Sequence, residues 1–209
     1  MDNEQSTDDR RGVLIQSALR LQWLTIAWMT IEGLVAIGAG LAAHSLLLLV
    51  FGIDSVIELA SACVVIWRLL TELRRGKAFS EATEHRASRI AGALLLALAC
   101  YVVAAAAWAL WRHQGAEFSA PGFIVAIAAI PIMYVLSRRK LTLAQRLESR
   151  ALRADAVEGF TCCWLSLTVV IGLAAQLTVG GWWVDSVASL AIVYFLVREG
   201  REAWNAEEE

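Results

Sequence analysis

The chain has 209 residues, 58% of them hydrophobic and 18% charged, with only two prolines and a mean hydropathy of +0.59. A water-soluble domain of this size carries roughly 45–50% apolar and about 25% charged residues, so the composition excludes an ordinary cytosolic enzyme and calls for a chain solvated largely by lipid. The formal net charge of −2 leaves no basic footprint for nucleic acid.

The opening MDNEQSTDDRR is acidic and polar, without the apolar core and small-residue cleavage site of a signal peptide. Residues 1–19 are expected to form a polar tail. Six apolar stretches then follow, each read against the ~30 Å of hydrocarbon that a helix crosses at 1.5 Å per residue. The first, Leu21–Ala43, carries Glu32 halfway along, with Gly33, Gly38 and Gly40 beside it. Those glycines suit close helix packing; a proton-relay or supporting role for Glu32 is the alternative. The second, Ser45–Leu70, holds Asp54 and Glu58 in its middle. The third is Ile90–Trp111. The fourth, Pro121–Leu136, is the shortest and contains Pro131, which predicts a kink or tilt. The fifth, Ala151–Val179, contains Asp155, Glu158 and Cys162. In the sixth, Trp182–Val197, Asp185 follows Trp182 and Trp183 and is expected to cap the helix. The fold class is therefore an all-α membrane protein: six transmembrane helices within residues 20–205, and a short acidic tail at 206–209.

Of the 18 Lys and Arg residues, all but Arg112 fall on the side that carries both termini. That asymmetry places both termini in the cytoplasm. Trp67, Trp108, Trp111, Trp182, Trp183 and Trp204 lie near span ends, where an amphipathic ring prefers the headgroup level. The four cysteines, Cys63, Cys100, Cys162 and Cys163, lie within spans without CxxC spacing, so no disulfide framework is expected.

Ionisable groups at bilayer depth cost about 2.5–3.5 kcal/mol each even on lenient insertion scales, and persist where they pair, face water or bind something. No Lys or Arg is expected at the depth of Glu32, Asp54, Glu58, Asp155, Glu158 and Asp185 to neutralise them, so the negative cluster lacks its cation. Asp155, nearer the cytoplasmic interface, is expected to pair with Arg150 or Arg153. Residues four apart share a helical face, which converges Asp54 with Glu58 and Glu158 with Cys162. The two segments also match in register, since Ser45 precedes Asp54 by nine residues and Ser149 precedes Glu158 by nine. Oppositely directed helices with that correspondence point to an inverted 3+3 organisation and to four ligands at the midplane. A divalent cation relieves the repulsion within such a quartet and releases protons as it binds. Four mixed oxygen and sulfur donors favour Zn²⁺ or a similar first-row ion over Mg²⁺ and Ca²⁺.

Three segments, HSLLLLVFGIDSVIELASA, SRALRADAVEGFTCCWLSL and GWWVDSVASLAIVYFLVREG, resemble the cation diffusion facilitator family of divalent-metal/proton antiporters, over about residues 20 to 205. The resemblance implies six helices, cytoplasmic termini, a homodimer and a transport site at Asp54, Glu58, Glu158 and Cys162. Most members use Asp where this chain has Glu58, and His and Asp where it has Glu158 and Cys162. That departure opens iron, manganese, cobalt and cadmium beside zinc. Some members hold a second metal in the loop where EATEHR stands, here through His85, although a lone His beside Glu81 and Glu84 more often marks a solvated loop. Only some ten residues follow Arg198, so a short form without the family's cytoplasmic domain is expected.

The implied function is export of a divalent metal, Zn²⁺ foremost, from the cytoplasm across the cell (inner) membrane in exchange for protons. Metal and protons are cargo; no resident cofactor is called for. A membrane protein that binds metal without transporting it, or scaffolds a partner, is the alternative. No HExxH or serine–histidine arrangement supports an intramembrane hydrolase.

Overall fold

The structure, a computed structural model, describes residues 2–75 and 81–204. These form six helices in chain order: α1 Asp2–Ala43, α2 Leu46–Arg75, α3 Glu81–Arg112, α4 Ala120–Leu147, α5 Arg150–Val179 and α6 Val184–Trp204. No strand occurs among the described residues. Helices keep every backbone hydrogen bond within the segment, which is the condition for crossing lipid. Their ends carry the expected chemistry. Ser119 and Ser149 accept from Gly122 N and Leu152 N at the starts of α4 and α5, while Glu148 and Gly180 adopt left-handed conformations that close them.

Among the described residues five helices are long and apolar enough to cross a membrane, and the chain is a multi-pass membrane protein. The sixth expected span falls short by that measure, because the last part of α6 carries Arg198, Glu199, Arg201 and Glu202. Several helices also outrun their apolar stretches at the basic end. The helix of α4 passes Pro131 unbroken and continues beyond Leu136 to Leu147, and α1 extends back to Asp2 through the segment read as a tail. A second apolar core explains the extension. Ile15, Ala18 and Leu19 of α1 pack with Val65, Ile66 and Leu69 of α2, Ala144 and Leu147 of α4, and Leu152 of α5.

The closest pairings are α1 with α2, α4 with α5, and α3 with α6; α2 also meets α5 and α6 in the middle of the bundle. The first two helices of each half are thus neighbours, and the two third helices lie against each other. Gly52 sets the α1–α2 approach. A Cβ there would stand 2.6 Å from Ile37 Cγ1 and 2.8 Å from the Ile37 backbone nitrogen, so only glycine fits.

At the end opposite the basic one, Asp185 does not cap its own helix as expected. Its Oδ2 accepts from the backbone nitrogens of Leu46 at 2.9 Å and Leu47 at 3.4 Å, and its Oδ1 accepts from Ser45 Oγ. The orphan N–H groups and positive end of α2 lie within its reach and are the donors its carboxylate satisfies. This contact levels the starts of α2 and α6. His44 and His113, nearby, are exposed.

Candidate metal centre

The inner face of α2 presents Phe51, Asp54, Ser55, Glu58 and Ala62, all buried. Helical spacing puts them there, since they recur every three or four residues. Asp54 is 1% exposed and Glu58 8%. Among the described residues, neither Asp54 Oδ1 nor Glu58 Oε1 has a hydrogen-bond partner. Burying a carboxylate oxygen without a donor is costly in hydrocarbon surroundings, so two such atoms a turn apart require a reason.

Across from them stands α5. Cys162 is buried and Glu158 half-buried. Ser61 of α2 donates from Oγ to Glu158 Oε2 at 3.0 Å, fixing Glu158 about one turn nearer the basic end than Glu58. Cys162 Sγ lies 3.9 Å from Glu32 Oε1, which also accepts from Ser55 Oγ at 2.8 Å; Trp28 Nε1 donates to Glu32 Oε2 at 2.6 Å. Glu32, fully buried, thereby joins α1 to both ligand-bearing helices. It supports Cys162 and the backbone turn beside Asp54 rather than standing apart as a packing residue.

Asp54 lies within electrostatic reach of Glu158 and Glu32, Glu58 of Asp54 and Glu158, and Cys162 of Glu58 and Asp54. The four candidate ligands therefore share one interior region between α2 and α5. They are not drawn into a finished coordination shell: among the described residues no three His, Cys, Asp or Glu side chains are gathered closely enough to hold an ion as they stand. Three carboxylates and a thiol are nonetheless a donor set suited to a divalent transition metal.

The expectation that no Lys or Arg lies at the depth of the buried acids fails at Asp155. Lys140 is 2% exposed, and its Nζ sits 2.7 Å from Asp155 Oδ2, which also accepts from Gln22 Nε2 at 2.7 Å. The partner of Asp155 is thus Lys140 of α4; Arg153 is exposed, and the side chain of Arg150 lies outside the described residues. Lys140 is also within electrostatic reach of Glu158. The apolar stretch ends at Leu136, which makes Lys140 look like a loop residue. The helix continues, however, and Met133, Ser137, Lys140, Ala144 and Leu147 form one buried stripe. That spacing was the available signal.

Glu199 escaped the sequence reading in the same way. It follows the sixth apolar stretch, yet is 9% exposed and lies within electrostatic reach of Asp54, Glu58 and Glu158. Of the remaining candidates, Asp185 is committed to the start of α2, and His85 falls in the first turns of α3 with its side chain outside the described residues. Cys63 and Cys100 are exposed free thiols on the outer surface of the bundle, and Cys163 is half-buried.

The family model for the cation efflux transmembrane domain matches residues 23–205 of this chain. An uncharacterized transporter of Synechocystis sp. is 29% identical over 170 residues, covering 78% of this chain and 54% of the relative. The chain thus spans about half the length of that curated relative.

Proposed function

The chain belongs to the cation efflux family, and from that premise we propose that it exports a divalent transition metal from the cytoplasm in exchange for protons. Zn²⁺ is the foremost cargo, with Fe²⁺, Mn²⁺, Co²⁺ and Cd²⁺ as the other ions its donors accommodate. Asp54, Glu58, Glu158 and Cys162 hold the ion. The observation that carries the reading is the pair of buried carboxylate oxygens on α2, Asp54 Oδ1 and Glu58 Oε1, that no donor among the described residues satisfies, on a helix packed against the one that carries Glu158 and Cys162.

The chemistry follows from the charges. With three further acids around it, each carboxylate is neutralised either by a proton or by a cation, and an arriving dication displaces the protons held there. Glu32 holds the thiol of Cys162 in position for the cargo. Lys140, tied to Asp155, supplies one fixed positive charge beside Glu158 and tempers the cluster without filling it. Alternating access by rocking of one helix group against another would carry the site from one face to the other. The asymmetry of basic residues supports cytoplasmic termini, and the family resemblance supports a homodimer in the cell membrane.

Sealed liposomes containing the purified chain test this. Metal uptake with opposite proton movement, abolished by Asp54→Ala and by Glu158→Ala, is the expected result. Retention of metal without flux across the bilayer would favour the non-transporting, metal-binding reading instead. Native flux in both variants would remove the site.

A further inference from the structure

We infer that Glu199 of α6 is a fifth ligand of the cargo site and its fourth carboxylate, placed at its basic-end edge where it takes the cation together with Glu58. This rests on the reading of Asp54 and Glu58 as cargo ligands.

The placement follows from register. Asp185 binds the first backbone nitrogens of α2, so α2 and α6 start level and run in the same direction. At 1.5 Å per residue, Asp54 lies about 12 Å below that level, Glu58 about 18 Å and Glu199 about 21 Å. Glu158, held by Ser61, stands close to the same depth as Glu199. Along α6, Asp185, Ser189, Ile192, Leu196 and Glu199 recur at helical spacing, and every one is buried. Glu199 therefore continues the stripe that faces the bundle interior. Gly200 fixes this rotation, because a Cβ there would meet Leu96 Cγ at 2.9 Å and Gly92 O at 3.1 Å on α3.

Among the described residues no side chain bonded to this group neutralises it. Arg198, its neighbour, is exposed and turned outward to Glu202, with Nε 2.8 Å from Oε1. Among the described residues no hydrogen bond or ion pair reaches the Glu199 carboxylate. Among the described residues, the charged groups that act on it are the acids Asp54, Glu58, Glu158 and Glu202 and the basic Arg198. The independent sign of a ligand is again the pair of unpartnered oxygens at Asp54 and Glu58, the latter about half a turn in depth from Glu199 by the register above. A buried acid added to buried acids is unfavourable unless a cation serves them jointly.

The test titrates the purified full-length chain with Zn²⁺ and Cd²⁺ by calorimetry. Loss of a carboxylate that supports a bound metal costs about tenfold or more in affinity, and Glu199→Gln is expected to show a loss of that size. A change of less than about threefold overturns the inference. If that variant does not purify folded, Glu199→Cys decides: a gain in ultraviolet sulfur-to-cadmium absorbance over the native chain supports the assignment, and no gain overturns it. Asp54→Asn is measured alongside. Loss of binding there with native binding in Glu199→Gln refutes the fifth ligand alone, whereas native binding in Asp54→Asn refutes the cargo site itself.

Discussion

The substitution Asp54→Asn separates stability from function more cleanly than a truncation, because asparagine keeps the shape and removes only the capacity for charge. Asp54 is 1% exposed, its Oδ1 has no donor, and Glu158 and Glu32 are acids within electrostatic reach. A charged side chain at mid-helix depth in lipid costs about 2.5–3.5 kcal/mol. An unsatisfied neutral amide costs on the order of 1–3 kcal/mol. The metal-free native carboxyl avoids the first cost by holding a proton and is itself a neutral group with an unsatisfied oxygen, so the metal-free variant is expected to match the native chain to within about 1 kcal/mol. The metal separates the two. A ligand at a hundred times its Kd stabilises the native chain by about 2.7 kcal/mol, and the variant should lose most of that increment. Thermal unfolding in lipid nanodiscs, with and without Zn²⁺, reads both quantities, and liposome flux reads transport. A metal-free variant less stable than the native chain by clearly more than about 1 kcal/mol would show that the carboxylate is a structural tie. An undiminished metal-induced rise in melting temperature would show that the ion sits elsewhere.

Other perturbations test the surrounding framework. Asp185→Ala removes three hydrogen bonds from the start of α2 and is expected to cost about 2–4 kcal/mol in thermal unfolding, with Asn recovering part of it; a neutral result would deny that the cap holds α2 to α6. Lys140→Met leaves Asp155 buried with Gln22 alone and should destabilise by about 3–5 kcal/mol, while Lys140→Met with Asp155→Asn should recover most of that. Additive losses in that double variant would mean the pair is not coupled. Cys162→Ser should weaken Cd²⁺ binding far more than Mn²⁺ binding, because sulfur is the soft donor of the set; equal losses for both ions would take the thiol out of the coordination. Gly52→Val places its side chain against Ile37 and forces α1 from α2, with an expected cost of about 3 kcal/mol or more on unfolding; native stability would contradict the close approach.

Much of this molecule was legible from one-dimensional pattern. Apolar runs long enough to cross lipid mark where the helices lie, because a membrane leaves the backbone few other options. The positions of Asp54, Glu58, Glu158 and Cys162 stand out for the same reason: acids at that depth are costly, and spacing of four puts each pair on one face. The helix ends beyond the apolar runs were not legible. Hydropathy stops at Leu136 and Val197, whereas α4 continues into a basic-end core and α6 continues to Trp204, so that Lys140 and Glu199 are buried. Which partner a buried charge takes is likewise a matter of helix packing. Asp155 joins Lys140 rather than a neighbouring arginine, and Asp185 serves α2 rather than α6, because the nearest unsatisfied group in space belongs to another helix. Local sequence thus determined the helices, the membrane and the candidate ligands. Only the packing of six helices decided how those ligands face one another and which charges flank them, since electrostatics acts through distance in space and not along the chain.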